Sequence, residues 1–192
     1  MADSPILQMD VTSIASLGLL FKGDEAPIYT ECTGSIAVET ETRTITKTCG
    51  GATMKELTKP TKMTVTINAF VPLEMQRRVY GLKHDEALAA GVYSYGKGSK
   101  GEEFGIMAEL VDDWTDASKL IAFLKTSSAN AFTFTIDTSE DELSQLEIVA
   151  TAYEDELGYW YHEALADEIE APLTKEIWLT SLTEDALKKP QA

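Results

Sequence analysis

With 192 residues, 44% of them hydrophobic and 25% charged, the chain has ordinary globular composition and enough length for one domain with its own core. Its 16 basic against 32 acidic side chains leave a net charge of −16, which excludes general nucleic-acid affinity, because phosphate binding needs clustered Lys and Arg. Two cysteines exclude a disulfide framework.

The acidity is uneven: residues 1–96 carry 9 basic and 11 acidic side chains, residues 97–192 carry 7 and 21. This is either an ordinary solvated face or one surface shared by many carboxylates. At the start of the chain, Asp3 and Asp10 stand where a positive leader would be. The apolar run Val11 to Phe21 is interrupted by Thr12, Ser13, Ser16 and Gly18, so neither a signal peptide nor a membrane span is expected. Cys32 and Cys49 read as small half-buried side chains in a reducing compartment.

Ser35 to Thr48 alternates as one Thr-rich strand of 14 residues, against a usual 5 or 6. Ile36, Val38 and the even-numbered threonines share one parity; Glu39, Glu41, Arg43 and Lys47 share the other. Beyond Ile45 its outer half has no apolar face, so it gains little from its own core. Two readings are open: an arm whose bare edge another copy covers, or a solvated hairpin turning near Thr40-Glu41. Cys49-Gly50-Gly51 and a hinge-like segment ending at Lys59-Pro60 come next. Thr61 to Phe70 then alternates as a half-buried strand, with Met63, Val65, Ile67 and Ala69 inward.

A helix is expected from Pro72, whose φ suits a first helical position, to a stop at Gly81. Met75, Val79 and Leu82 fall on its apolar stripe, and Glu74 can pair with Arg78. A second helical turn is expected over Asp85 to Ala90. Strands are expected at 106–111 and 120–124, covered on both faces and joined by the turn Asp112 to Ser118. Phe132, Phe134 and Ile136 alternate as a further strand. Leu146 to Tyr153 and Tyr159 to Leu165 flank Glu154-Asp155-Glu156-Leu157-Gly158 as a hairpin. The expected architecture is mainly β: about seven antiparallel strands in a sandwich or partly closed barrel, with one packed helix and a long extended arm. Residues 1–182 form the single domain and 183–192 a loose C-terminal tail.

No catalytic constellation emerges. Gly96 to Gly101 fits G-x-G-x-x-G, but a strand follows it where a phosphate-binding helix is required. The nearby P-loop-like spacing has Gly98 where Ser or Thr would hold magnesium. His84 and His162 have no ligand-spaced partners. Asp137 to Glu142 lacks the spacing of a calcium loop. Tyr159-Trp160-Tyr161 suits an interface or a strand that presents Trp160 to its own core. No cofactor or metal is expected.

In order and local pattern the chain resembles the major tail proteins, the tail tube subunits, of long non-contractile-tailed bacteriophages. The resemblance rests on the long strand to Cys49-Gly50-Gly51, the return strand, and Phe70-Val71-Pro72-Leu73-Glu74-Met75 through Gly81. It continues with Phe104 to Leu110, Lys119 to Lys125 and Leu146 to Leu165, and covers about residues 30–168. It implies a non-enzymatic structural protein of the virion tail, assembled in the host cytoplasm without a membrane. Hexameric rings would stack around a tape measure protein and later around passing DNA, which is not specifically bound. Tail terminator and baseplate or tip proteins would be further partners. The segment resembling the family's inter-ring arm is Thr44 to Leu57, with Thr44, Thr46, Lys47, Thr48, Gly50, Gly51, Ala52, Thr53 and Lys55 as candidate contact residues. Residues 170–192 match no family pattern. The alternatives are a tail terminator or secretion-tube component, and a solitary acidic β-sandwich binding module.

Overall fold

The computed structural model describes residues 8–30, 32–49, 52–134 and 145–188, with Ala52 and Thr53 described by their backbone alone. Gly50, Gly51, Ile136, the 137–142 acidic run and Lys189-Pro190 lie outside the described residues.

Period-two alternation yields eight strands: β1 Ser13–Phe21, β2 Ile28–Tyr29, β3 Cys32–Cys49, β4 Ala52–Phe70, β5 Phe104–Asp112, β6 Ala117–Ser128, β7 Leu146–Ala152 and β8 His162–Leu165. They form one antiparallel sheet in the order β2-β1-β5-β6-β7-β4-β3, with β8 set against β6. The sheet curls on itself, so Leu17, Leu19 and Phe21 of β1 share a core with Val65, Ile67 and Ala69 of β4. The fold is thus mainly β, as the alternation predicts, a partly closed barrel with a seam between β1 and β3. β5 is buried almost throughout, as expected for a strand covered on both faces.

The packed helix, α1 (Leu73–Tyr80), closes one end of this barrel with Met75, Val79 and Tyr80. Pro72 is its N-cap, one residue earlier in role than expected, because its ψ of 146° is still extended. Gly81 ends the helix at φ 68°. A Cβ there would lie 2.2 Å from the Lys100 carbonyl oxygen, so glycine is required by both backbone and packing. Arg78 does not pair with Glu74. It reaches Asp24 and Glu102 and lies 4.1 Å over the Phe21 ring, which fixes the helix to the loops around the barrel end.

Four further expectations are corrected. Asp85 to Ala90 is not helical: the Asp85 carboxylate accepts from the Ala87 amide at 2.9 Å and holds a turn. Phe132 and Phe134 are in no strand; Phe132 packs 5.3 Å from Tyr80 and 5.6 Å from Tyr95, so aromatic stacking and not sheet pairing places it. β7 and β8 flank a tight turn but do not form a hairpin. The 12-residue β6 takes both, pairing Thr126–Ser128 with β7 and Lys119–Ala122 with β8. Cys32 and Cys49 are exposed free thiols at opposite ends of β3.

The C-terminal region, which matches no family pattern, supplies a second layer. Helices α2 (Lys175–Thr180) and α3 (Glu184–Leu187) start at Thr174 and Thr183, whose hydroxyls accept from the amides of Ile177 and Ala186. Trp178 is 2% exposed and donates to the Ile121 carbonyl at 3.3 Å. With Leu182 it covers Met107, Leu120 and Ala122 on the outer face of β5 and β6. Lys175 reaches the buried Glu109 carboxylate, which Ser118 also donates to, and so ties α2 to the sheet.

Candidate self-assembly surface

The sequence singled out one long strand; the structure makes it half of a hairpin. β3 pairs with β4 from Cys32↔Phe70 to Cys49↔Ala52, so the segment before Lys59-Pro60 is strand and not a hinge. Pairing runs on through Glu41↔Lys62 to Cys49↔Ala52, so the chain does not turn at Thr40-Glu41. The arm therefore has a partner on one side within its own chain, and each of its two strands keeps one edge for another copy to cover. The outer sides stay open: β7 pairs β4 only from Met63 to Ala69, and no strand among the described residues pairs the far side of β3. Residues 52–62 of β4 thus run past the sheet, roughly 35 Å at the usual strand rise.

A bulge explains why sequence parity hid this. Glu41 faces Lys62 and Thr42 faces Pro60, so Thr61 is the extra residue, and its hydroxyl donates to the Glu41 carbonyl at 3.1 Å. Inward residues of β4 are odd-numbered from Met63 onward; in the arm the odd-numbered residues turn outward. Pro60 is tolerated because β4 has no second neighbour there, and it blunts that edge.

The register sorts the arm into two unlike faces. Arg43↔Lys59, Ile45↔Leu57 and Lys47↔Lys55 lie directly opposite one another on one face. Thr42↔Pro60, Thr44↔Thr58 and Thr46↔Glu56 lie on the other, with a 3.2 Å hydrogen bond between the Thr44 and Thr58 hydroxyls. The first face is two cation pairs around one apolar pair. Like charges opposed across a ladder are destabilising, and none of these four cations forms an ion pair among the described residues. Ile45 is 48% and Leu57 53% exposed.

Of the candidate contact residues, Thr44, Thr46, Lys47 and Thr48 sit on β3 and Lys55 on β4, all exposed. Ala52 and Thr53 begin β4; Gly50 and Gly51 lie outside the described residues. The sequence reading did not group Arg43, Ile45, Leu57 and Lys59. The signal was there, as Arg-Thr-Ile-Thr-Lys at 43–47 mirrored by Lys-Glu-Leu-Thr-Lys at 55–59.

At the base of the arm the barrel end opposite α1 opens into an apolar groove of about 530 Å³, lined by Val11, Ile14, Ile36, Val38, Met63, Leu110, Ile121 and Tyr161. Its rim is held by Asp112. Burial raises that carboxyl, but the Thr115 hydroxyl and the amides of Trp114 and Asp10 outweigh it and keep it below the usual range. The Asp10 amide donates to it at 3.1 Å and the Thr12 hydroxyl donates to Asp113 at 2.6 Å, so Asp10, Val11 and Asp113 stand together and exposed at this end.

Neither histidine builds a catalytic site. His84 is exposed and bonds the Val92 carbonyl at 2.8 Å. His162 lies 2.6 Å from Asp155, whose other oxygen accepts from the amides of Leu157 and Tyr159 and shapes the turn. Among the described residues no cluster of His, Cys, Asp or Glu is arranged to hold a metal, and no helix is long and apolar enough to cross a membrane.

No family model and no curated protein matches the chain. Among solved structures it is similar to the anti-feeding prophage cap, a tube terminating cap determined by cryo-EM. The TM-score is 0.41 and the identity 10%, over 86% of this chain and 98% of that one. A likeness of that degree assigns neither an activity nor an assembly.

Proposed function

We propose that this chain is a self-assembling structural subunit of a phage tail-type tube, whose copies form rings, hexameric in the tail-tube resemblance, that stack into a hollow conduit. The observation that carries this reading is the two-stranded arm. Among the described residues it buries almost nothing against its own barrel, keeps both outer edges open, and holds four cations without ion-pair partners around an exposed apolar pair. Such a ribbon is a liability for a solitary domain and a connector for a repeating one. The barrel has unlike ends, α1 at one and the arm at the other, as head-to-tail stacking requires. The sheet ends in the two-residue β2, which covers only part of β1, and in β3; these edges flank the seam and suit closure of a ring by strand pairing between neighbours.

In this reading the wall encloses a tape measure protein during assembly and DNA during ejection, and tail terminator and tip proteins cap its ends. The excess of carboxylates in the second half of the chain would repel DNA from the wall, where screening over about 8–10 Å is incomplete. Sedimentation velocity and negative-stain microscopy of the purified protein across concentration test the proposal. Rings or tubes are the expected result. Single rings that never stack would instead indicate a terminator-like component, and a persistent monomer a binding module.

A further inference from the structure

We infer that the receptor for the arm is the apolar groove of a second copy: Ile45 and Leu57 of one protomer seat over Val11, Val38 and Met63 of the next, and Arg43, Lys47, Lys55 and Lys59 meet the Asp10 and Asp113 rim. The inference rests on the self-assembly proposed above and names the partner surface within it.

The two surfaces match in chemistry. The arm offers one apolar pair ringed by cations with no carboxylate partner among the described residues. The groove offers an apolar floor, with Val11 50% and Val38 44% exposed, and carboxylates at its edge. Trp114, 77% exposed in the turn at the same barrel end, adds a flat aromatic face of the kind that anchors interfaces and receives cations. Burying both apolar surfaces removes them from water and gives the opposed cation pairs their counter-charges, which a monomer leaves unmet.

The groove cannot be filled by its own arm. Val38 lines it and Ile45 lies seven residues further along the same extended strand, roughly 23 Å away at the usual rise. A paired ribbon of this kind does not fold back over so short a span, so the occupant belongs to another molecule. The distances also suit end-on stacking. The nine residues of β1 give a barrel about 27 Å long. A copy displaced by one barrel length therefore brings its groove near the level of the lower copy's Ile45 and Leu57. The contact joins two different patches, so it propagates from copy to copy.

Cysteine cross-linking between separately made proteins tests this. In a Cys32→Ser, Cys49→Ser background, one protein carries Leu57→Cys and the other Val11→Cys. A third carries Leu73→Cys at the α1 end, a side chain 66% exposed and remote from the groove. After mixing and mild oxidation, the 57–11 pair should give a disulfide-linked species of twice 21.0 kDa, at least tenfold faster than the 57–73 pair. Arg43→Glu with Lys59→Glu in the arm protein should lower that rate at least tenfold, with unchanged circular dichroism. Assembly without 57–11 linkage, or with preferred 57–73 linkage, overturns the groove as receptor and leaves the tube reading standing. A protein that neither assembles nor cross-links overturns both.

Discussion

Removing the arm should leave the barrel almost as stable as before. Replacing residues 42–61 with Asn-Gly joins the paired residues Glu41 and Lys62 through a two-residue turn suited to a hairpin. The deletion removes about a tenth of the chain, yet every side chain described in 42–49 and 54–61 is exposed. Among the described side chains, the losses are the apolar pair Ile45↔Leu57 and the Thr44↔Thr58 pair, each worth about 0.2–1 kcal/mol. Two opposed cation pairs, Arg43↔Lys59 and Lys47↔Lys55, vanish as well, and their removal returns a similar amount. The net change expected is within about 1 kcal/mol, against the 3–5 kcal/mol that removing a large buried side chain costs. Urea unfolding followed by tryptophan fluorescence measures it, because Trp114, Trp160 and Trp178 all remain. Sedimentation velocity of the same protein should show assembly abolished. A midpoint lowered by several kcal/mol equivalent would mean the arm supports its own barrel, and the argument that it serves another copy would fail.

Trp178→Ala should destabilise the fold by about 3–5 kcal/mol, since it empties the centre of the C-terminal layer and removes the hydrogen bond to the Ile121 carbonyl; chemical denaturation checks it. Asp155→Asn should cost about 1–3 kcal/mol at neutral pH, because the carboxylate accepts from two amides and His162. Burial raises the Asp155 carboxyl, but the Tyr159 amide, His162 and the Leu157 amide together hold it below the ordinary value. Its contribution is therefore full above the unfolded carboxyl pKa, about 4, and lost as pH falls through the lower folded value. Wild type and variant should converge in thermal melts taken from pH 6 down to pH 2; a gap that widens on acidification would contradict this.

Much of the fold was legible because alternation reports burial directly. Met63 to Ala69 and Ile106 to Val111 face the core or lie between layers as their patterns require, and Gly81 stops α1 for the reason glycine usually does. The arm was legible only in part. Thr61 is a bulge, and a bulge exchanges the two faces of a strand without leaving any composition mark, so 52–60 read as a hinge. The C-terminal helices were missed although Thr174 and Thr183 carry capping signals, because six and four residues are too few for a periodic stripe to stand out.

The amino-acid sequence by itself determined the class of architecture, the length of the arm and the excess of carboxylates, since period, chain reach and charge are local or additive properties. Only the tertiary structure decided that β8 pairs with β6, that Trp178 seals the second layer, and that Arg43, Ile45, Leu57 and Lys59 form one face. Those facts depend on register between segments distant in the chain, and register is settled by which pairing buries the most apolar surface, a property of no single segment.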